Sequence, residues 1–357
     1  MTAIPNPDHA PDAGVPWHYG DPLGEQRAAQ TAAVLVDRSH RPVIILTGAD
    51  RQRWLHSIST QHVADLPEGA STENLSLDGQ GRVEDHWVQT ELGAMTYLDT
   101  EKDRGDPLSA FLRSMVFWSD VQVEPASRTL LTLIGPQLSE PAVLTALEIT
   151  ELPTQHRAVA MPGGFVRRAV AATEPLELDV MVDAEQRDRV WQRLITAGLR
   201  PAGTWAHEAN RVASGRPRLG LDTDERTIPH EVGWIGSAVH LDKGCYRGQE
   251  TVARVHNLGR PPRMLVLVHL DGSGDRPATG DPVLAQGRTV GRLGTVVDHV
   301  DLGPIALALL KRGIPADTAL DIVGENPTTA RIDPDSLPPA DVAGAGRIAV
   351  NKLKGQS

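Results

Sequence analysis

The sequence predicts an α+β protein whose chain ends in a small all-β domain. Three observations carry that expectation. Up to about residue 260, short apolar strand segments are interleaved with amphipathic helical stretches. After Pro261-Pro262 the pattern changes to short strands separated by Gly and Pro turns. The length, 357 residues, exceeds what one core ordinarily organises, since domains run to roughly 100–200 residues.

Taken in order, residues 1–22 read as a flexible tail, with prolines at 5, 7, 11, 16 and 22 and few apolar neighbours. Trp17 and Tyr19 are placed to anchor its end. Val43 to Leu46 is a strand, and Asp50 can cap a helix carrying Trp54, Leu55 and Ile58 at helical spacing. Asn74 to Leu77 leads through Asp78-Gly79-Gln80-Gly81 into Arg82 to Thr90, the pattern of a hairpin in which Asp-Gly supplies the positive torsions. Pro107 to Val116 reads as a helix, Val121 to Glu124 and Leu130 to Ile134 as strands, and Gly135-Pro136 opens another helix. Leu176 to Val182 is a strand. Asp183 then caps a helix to about Ala197, with Gln186 in the capping-box position and Gly198 as the stop. Thr204 caps a further helix to about Ala213, and residues 214–242 form a long ordered loop. Met264 to Leu270, Pro282 to Ala285, Thr289 to Asp298, Ile305 to Leu310 and Ala319 to Val323 supply the β domain. The residues alone thus divide the chain into 1–22, a flexible Pro-rich tail; 23–260, an α+β region; and 261–357, a small all-β domain, barrel or sandwich.

Composition narrows the function. Apolar residues at 40% and charged residues at 23% are ordinary for a globular chain. A net charge of −11 repels phosphate backbones, so no nucleic-acid partner is expected. The longest apolar run, Ile305 to Leu310, is far short of the roughly 20 residues of a membrane span, and no membrane partner is expected. No signal peptide is evident, and one cysteine excludes an intramolecular disulfide, so a cytoplasmic location is expected. The histidines form no HExxH motif, and no metal site is expected. Lysine is scarce, confined to 102, 243, 311, 352 and 354, which draws attention to each one retained.

The densest chemistry lies in Lys243-Gly244-Cys245-Tyr246-Arg247-Gly248-Gln249-Glu250. It holds the lone thiol between glycines, flanked by Lys243 and Arg247, with a helix able to start after Gly248. Positive charge and a helix N-terminus favour thiolate, and glycines admit another molecule to the backbone. A small buried hydrophobe beside solvated charges would give the same letters.

Lys-Gly-Cys-Tyr-x-Gly-Gln-Glu resembles the signature of the YgfZ proteins, relatives of the glycine-cleavage T-protein, a tetrahydrofolate-dependent aminomethyltransferase. Val43 to Asp50 with Trp54-Leu55, the hairpin Gly81 to Asp85, and the C-terminal β domain extend the resemblance over roughly residues 30–350. It implies a three-lobed cloverleaf arrangement of the T-protein type, with two interleaved α+β lobes binding folate centrally in residues 23–260 and a small C-terminal β-barrel in 261–357. It also implies tetrahydrofolate or a derivative as cofactor, and iron–sulfur client enzymes or assembly proteins as partners.

By the same resemblance Asp85 corresponds to an aspartate beside the reactive nitrogens of folate, with Glu84 second, because adjacent strand residues face opposite ways. The T-protein has two aspartates here; this chain has Glu then Asp. Glu177 corresponds to a glutamate that hydrogen-bonds the pterin ring. Cys245, Lys243 and Asp85 are thus the candidate reactive residues, and Asp85, Glu84, Glu177, Tyr246, Arg247, Gln249 and Glu250 the candidate folate contacts. Structural roles compete: Gln249 and Glu250 as helix caps, Tyr246 as packing, Arg211 as a fold-stabilising arginine, His230 and His240 as hydrogen-bonding histidines.

The expected function is a folate-binding accessory role in assembly or repair of mainly four-iron iron–sulfur enzymes, with Cys245 as the contact thiol. One cysteine cannot hold a stable cluster. The alternatives are a tetrahydrofolate-dependent one-carbon transferase or demethylase, and a redox-sensing or scaffolding protein.

Overall fold

The structure, a computed structural model, describes residues 2–171, 174–258 and 260–337. Thr173, Lys352, Lys354 and the expected C-terminal domain from 338 onward lie outside the described residues. The chain divides into two compact units, each discontinuous in sequence. One comprises residues 1–58, 62–74 and 85–214; the other comprises 59–61, 75–84 and 215–357. The barrel therefore shares its unit with the signature loop 243–250 and the hairpin tip 75–84, where the sequence reading set a boundary at 260/261.

The first unit is built on two sheets. The six-stranded sheet runs Ala158–Met161, Gly164–Arg168, Glu177–Asp183, Arg128–Ile134, Val34–Asp37, Arg200–Ala202. Only the last pair is parallel. Arg128–Ile134 and Val34–Asp37 are buried almost throughout, as central strands covered on both faces must be. Leu131, Leu133, Leu178 and Val180 meet Leu147, Val190 and Leu194 from helices Pro141–Leu147 and Arg187–Thr196. Ala28, Ala29 and Ala206, from helices Pro22–Thr31 and Thr204–Ala213, cover Val34, Val36 and Ile134; small residues let those helices lie close.

The five-stranded sheet has the order Ser71–Leu77, Val83–Leu92, Met95–Thr100, Val43–Thr47, Gln122–Ala126. Its strand period of two is visible at Val43–Thr47. Ile44 and Leu46 pack with Trp87, Leu108 and Leu112 beneath helices Arg51–Ile58 and Gly105–Ser114. Val43 and Ile45 face the other way, against Leu130, Phe165 and Met181 of the six-stranded sheet. Each such fully buried aliphatic side chain contributes roughly 1.5–3 kcal/mol.

The second unit contains a closed six-stranded barrel: Arg263–Leu270, Gly303–Lys311, Arg288–His299, Pro282–Ala285, Leu320–Ile322, Thr328–Ile332. Met264, Val266, Val268 and Leu270 alternate into its core. Leu309 points outward to Trp234, Val239 and Tyr246. The long loop 214–242 is tied to the barrel by Arg263, which donates to Asp224 (2.6 Å) and Glu231 (2.7 Å), and by Thr295 N–H on Asp222 (2.7 Å).

Several local expectations are corrected. The segment expected as a flexible tail carries ordered structure over residues 4–18: Ile4–Pro5 pairs with Pro16–His18, buried Asn6 donates to Thr204 (2.9 Å), and Trp17 stacks on Trp205 at 4.7 Å. Asp183 precedes only a short 3-10 turn and makes no side-chain cap; the α-helix proper starts at Arg187. Gly203, not Thr204, is the N-cap of the next helix, and the Thr204 hydroxyl accepts from Asn6 instead. The hairpin bend takes its positive φ at Gly81 (78°), not at Gly79. Strands Ala158–Met161, Gly164–Arg168 and Thr328–Ile332 have no clear sequence signal: all are short, and the last two carry polar residues.

Candidate functional site

Within the barrel unit, two motifs singled out by sequence lie together. The first is the hairpin turn. Asp78 Oδ1 accepts from Gln80 N–H and Arg82 N–H, both at 2.8 Å, and Gly81 N–H donates to the Asp78 carbonyl. An Asp followed by glycines folds this way because its carboxylate caps its own turn.

The second motif, the signature loop, rests on that turn. A Cβ on Gly248 would stand 2.6 Å from the Asp78 carbonyl oxygen and 2.8 Å from Gly81 Cα; one on Gly81 would stand 2.8 Å from Thr251 Cβ. Gly248 is also left-handed, at φ 82°. Gly248 is required by the approach of the turn's backbone, and Gly81 by that of the Thr251 side chain.

Around that contact Lys243 and Tyr246 turn inward, while Cys245, Arg247 and Glu250 stay exposed. Lys243 is buried, and its Nζ donates to the carbonyls of Ser59 (2.5 Å) and Gln61 (3.2 Å). It lies 5.3 Å from the centroid of the Tyr246 ring, a cation–π contact. Burial pulls the Lys243 ammonium down to about 8 and pushes the Tyr246 hydroxyl up to about 12. Tyr246 packs among Trp234, Val239 and Val252. Gln249 Nε2 donates to the Lys243 carbonyl (3.2 Å), tying the first turn of helix Gln249–Leu258 back to the loop. Glu250 is exposed in that first turn, where its charge suits the helix dipole. Cys245, between buried Lys243 and buried Tyr246, is exposed, and nothing crowds Gly244.

These two shifts make a pH prediction. A lysine whose folded pKa lies below its unfolded one binds fewer protons when folded, so stability rises as pH climbs from about 8 toward the ordinary lysine value. A tyrosine held neutral has the opposite sign: stability is lost as pH rises from the ordinary tyrosine value toward 12. Urea melts of the full chain across this range should show a maximum where the two windows meet, near the ordinary tyrosine value; a Lys243→Met variant should lose the rising limb.

The two hairpin carboxylates part company. Glu84 belongs to the barrel unit and pairs with Arg247 of the loop at 3.0 Å, Arg247 exposed and Glu84 partly so. Such an exposed pair is worth ~0.5 kcal/mol. Asp85 belongs to the first unit and is buried, its Oδ1 accepting from Arg104 Nε (2.9 Å) and Nη2 (2.5 Å) at the start of helix Gly105–Ser114. The carboxylate that meets the signature loop is therefore Glu84, the one ranked second from sequence.

Glu177, at the first position of its strand in the first unit, is buried. It accepts from Asn210 Nδ2 (3.3 Å) and lies 3.6 Å from His207 Nε2. Both partners come from one face of helix Thr204–Ala213. Arg211, on the same helix, forms a buried pair with Glu208 (2.8 Å), a structural role. His240 Nδ1 accepts from Asp242 N–H. His230 lies beside His256, 6.1 Å between ring centroids, and burial with that neighbour holds it down to about 4. Among the described residues no group of three or more His, Cys, Asp and Glu could hold a metal ion, and no helix is long and apolar enough to cross a membrane.

Sequence reasoning missed Arg104 and the first unit's buried ionic cluster. In it Arg167 bridges Asp99 (2.7 Å) and Asp179 (2.9 Å), while Arg41 reaches Asp99 and Glu101. The arginine bias was the only hint, since Arg41 and Asp99 are 58 positions apart.

Comparison with known proteins bears on this arrangement. The profile of the GCVT N-terminal domain family matches residues 15–243. An aminomethyltransferase of Herpetosiphon aurantiacus is 27% identical over 337 residues, covering 89% of this chain and 90% of its own. One of Rubrobacter xylanophilus is 29% identical, covering 90% and 87%. The crystal structure of the glycine cleavage system aminomethyltransferase T from Bartonella henselae superposes with a TM-score of 0.80 at 18% identity, covering 94% of both chains. The α+β architecture closed by a C-terminal barrel is that fold.

Proposed function

The chain belongs to the GCVT N-terminal domain family, and from that premise we propose that it is a reduced-folate-binding accessory protein for iron–sulfur enzymes, acting through Cys245. The observation that carries the reading is the exposure of the chain's only thiol on a loop whose neighbours are anchored inward through Lys243, Tyr246 and Gln249. A loop fixed on both sides of an exposed cysteine suits a contact with a second molecule, here an iron, a persulfide or a partner thiol at the client's cluster. One thiol gives transient contact and leaves the remaining ligands to the client.

The residues present fit a reduced pterin. Glu177 offers a buried carboxylate, held by Asn210, to the paired N–H donors of a pterin edge. Asp85, paired with Arg104, offers a second. Bound tetrahydrofolate supplies nitrogens able to accept a one-carbon unit. Glu177→Gln is expected to weaken binding of 5-formyltetrahydrofolate at least ~10-fold by titration calorimetry, the cost of one charge-assisted hydrogen bond. Asp85→Ala is expected to weaken it as well. Unchanged affinity in either variant removes that residue from the site.

Complementation of a deletion strain, scored by the activity of a four-iron radical enzyme, tests the accessory role. Wild type should restore activity and Cys245→Ala should not. A second reading, a tetrahydrofolate-dependent transferase, is favoured by the aminomethyltransferase relatives. Turnover of an aminomethyl or methylamine donor with tetrahydrofolate, undiminished in Cys245→Ala, would favour it over the first.

A further inference from the structure

The turn between helix Gly105–Ser114 and strand Gln122–Ala126 holds two aromatic side chains in water: Trp118 is 99% exposed and Phe117 74%. Aromatic residues make up only 4% of the chain, and such side chains are ordinarily covered. The exposure does not come from a slack backbone. Phe117 sits at φ 46°, a region a bulky residue occupies only where its surroundings fix it. Ser119 N–H donates to the Val116 carbonyl, and Val116 N–H to that of Arg113. At the base of the turn, Asp120 N–H donates to Asp50 Oδ2 (2.9 Å), Ala49 N–H to Asp120 Oδ2 (3.0 Å), and Asp50 N–H to the Asp120 carbonyl (3.2 Å). The turn is thereby clamped to the start of helix Arg51–Ile58. Phe111, Met115 and Val116, partly buried on the core beneath, continue the apolar surface.

We propose that Phe117 and Trp118 are a preformed docking anchor for a transient protein partner whose surface offers an apolar cleft with a basic rim. Area and charge select that occupant. Two aromatic side chains bury roughly 150–250 Å² each, well below the roughly 800 Å² per partner of a stable dimer, so they do not hold a second copy of the chain. On the flanking elements the exposed acids Asp50, Asp120 and Glu124 outnumber the arginines Arg53 and Arg113, and Arg113 directs its Nε to the Val123 carbonyl. With a net charge of −11, this favours a basic rim and disfavours an anionic bilayer. Aromatic side chains on a backbone already held in place save its ordering cost on contact, and aromatics are the usual energetic centre of an interface. In the terms of the proposed function the partner is the client enzyme, and the inference rests on that reading for this choice of probe.

Binding of a purified four-iron client enzyme to the full chain, followed by biolayer interferometry, tests the anchor. Wild type is expected to bind with a dissociation constant on the order of micromolar. Trp118→Ser and Phe117→Ser are expected to weaken it about ten-fold or more with Tm unchanged. Equal binding by Trp118→Ser overturns the anchor, and so does an absence of wild-type binding. Self-association in sedimentation, or binding to vesicles of phosphatidylcholine and phosphatidylglycerol, overturns the stated occupant if Trp118→Ser abolishes it. Failure of the accessory reading looks different: Cys245→Ala then sustains client activity while the aromatic variants still bind the client weakly.

Discussion

Arg167→Met is expected to destabilise the protein by about 3–5 kcal/mol, the usual cost of removing one member of a buried charge cluster. Arg167 is 1% exposed and stands between Asp99 and Asp179, both buried, with Thr90 Oγ1 a further acceptor at 3.4 Å. Without it, two carboxylates remain out of water with less than their full complement of positive charge. Asp99 keeps Arg41 at 3.2 Å, and Asp179 keeps the Thr132 hydroxyl at 2.8 Å with Arg38 at 3.9 Å. Those residual partners keep the cost below that of a wholly isolated pair.

The arginines hold the Asp179 carboxyl below the usual carboxylate range, against the opposing effect of its burial. A depressed carboxylate contributes stability that is present above the ordinary aspartate pKa and is lost as pH falls through the folded value. Arg167→Met should therefore lose most at neutral pH and differ less from wild type in acid. Urea unfolding followed by tryptophan fluorescence checks both statements. A loss under about 1 kcal/mol at pH 7 would mean the cluster is not the constraint described. Combined Arg167→Met, Asp99→Leu and Asp179→Leu should recover part of the loss, because the desolvation penalty leaves with the charges.

Gly248→Ala carries the second large effect, about 2–4 kcal/mol, from a left-handed residue gaining a Cβ and from a clash with backbone rather than with a flexible side chain. The atoms it would meet, the Asp78 carbonyl oxygen at 2.6 Å and Gly81 Cα at 2.8 Å, belong to the hairpin turn. The loop should lift off that turn, and hydrogen exchange of residues 246–252 should accelerate more than that of the barrel strands. Gly244→Ala is the internal control: its Cβ enters open space, so stability should stay within about 0.5 kcal/mol. Equal exchange in the Gly248 and Gly244 variants would contradict the glycine-on-glycine contact.

These two sites differ in how far the sequence disclosed them. The signature loop was legible because its chemistry is local: Lys243, Cys245, Gly248 and Gln249 lie within seven positions, and the Asp78 turn is a contiguous pattern. The barrel was legible from Gly and Pro spacing, and its alternation at Met264 to Leu270 appears directly in the core. The ionic cluster was not legible, because Arg41, Asp99, Arg167 and Asp179 become neighbours only when two sheets face each other. The N-terminal segment misled for a related reason. Its prolines suggested an unfolded tail, yet Asn6, Asp12 and Trp17 find partners at Thr204, His40 and Trp205, none of them near in sequence. At the hairpin, alternation correctly required Glu84 and Asp85 to diverge, but which of them meets the loop depends on Arg247 and Arg104.

The most direct test of the accessory role compares cluster content and activity of one four-iron radical enzyme purified from a deletion strain carrying wild type, Cys245→Ala or no gene. Cys245 is exposed, so the alanine variant should melt within about 2 °C of wild type and bind reduced folate equally. The account predicts that wild type restores both cluster content and activity, while Cys245→Ala leaves both at the level of the deletion. Full restoration by Cys245→Ala would contradict it, as would a client unaffected by the deletion.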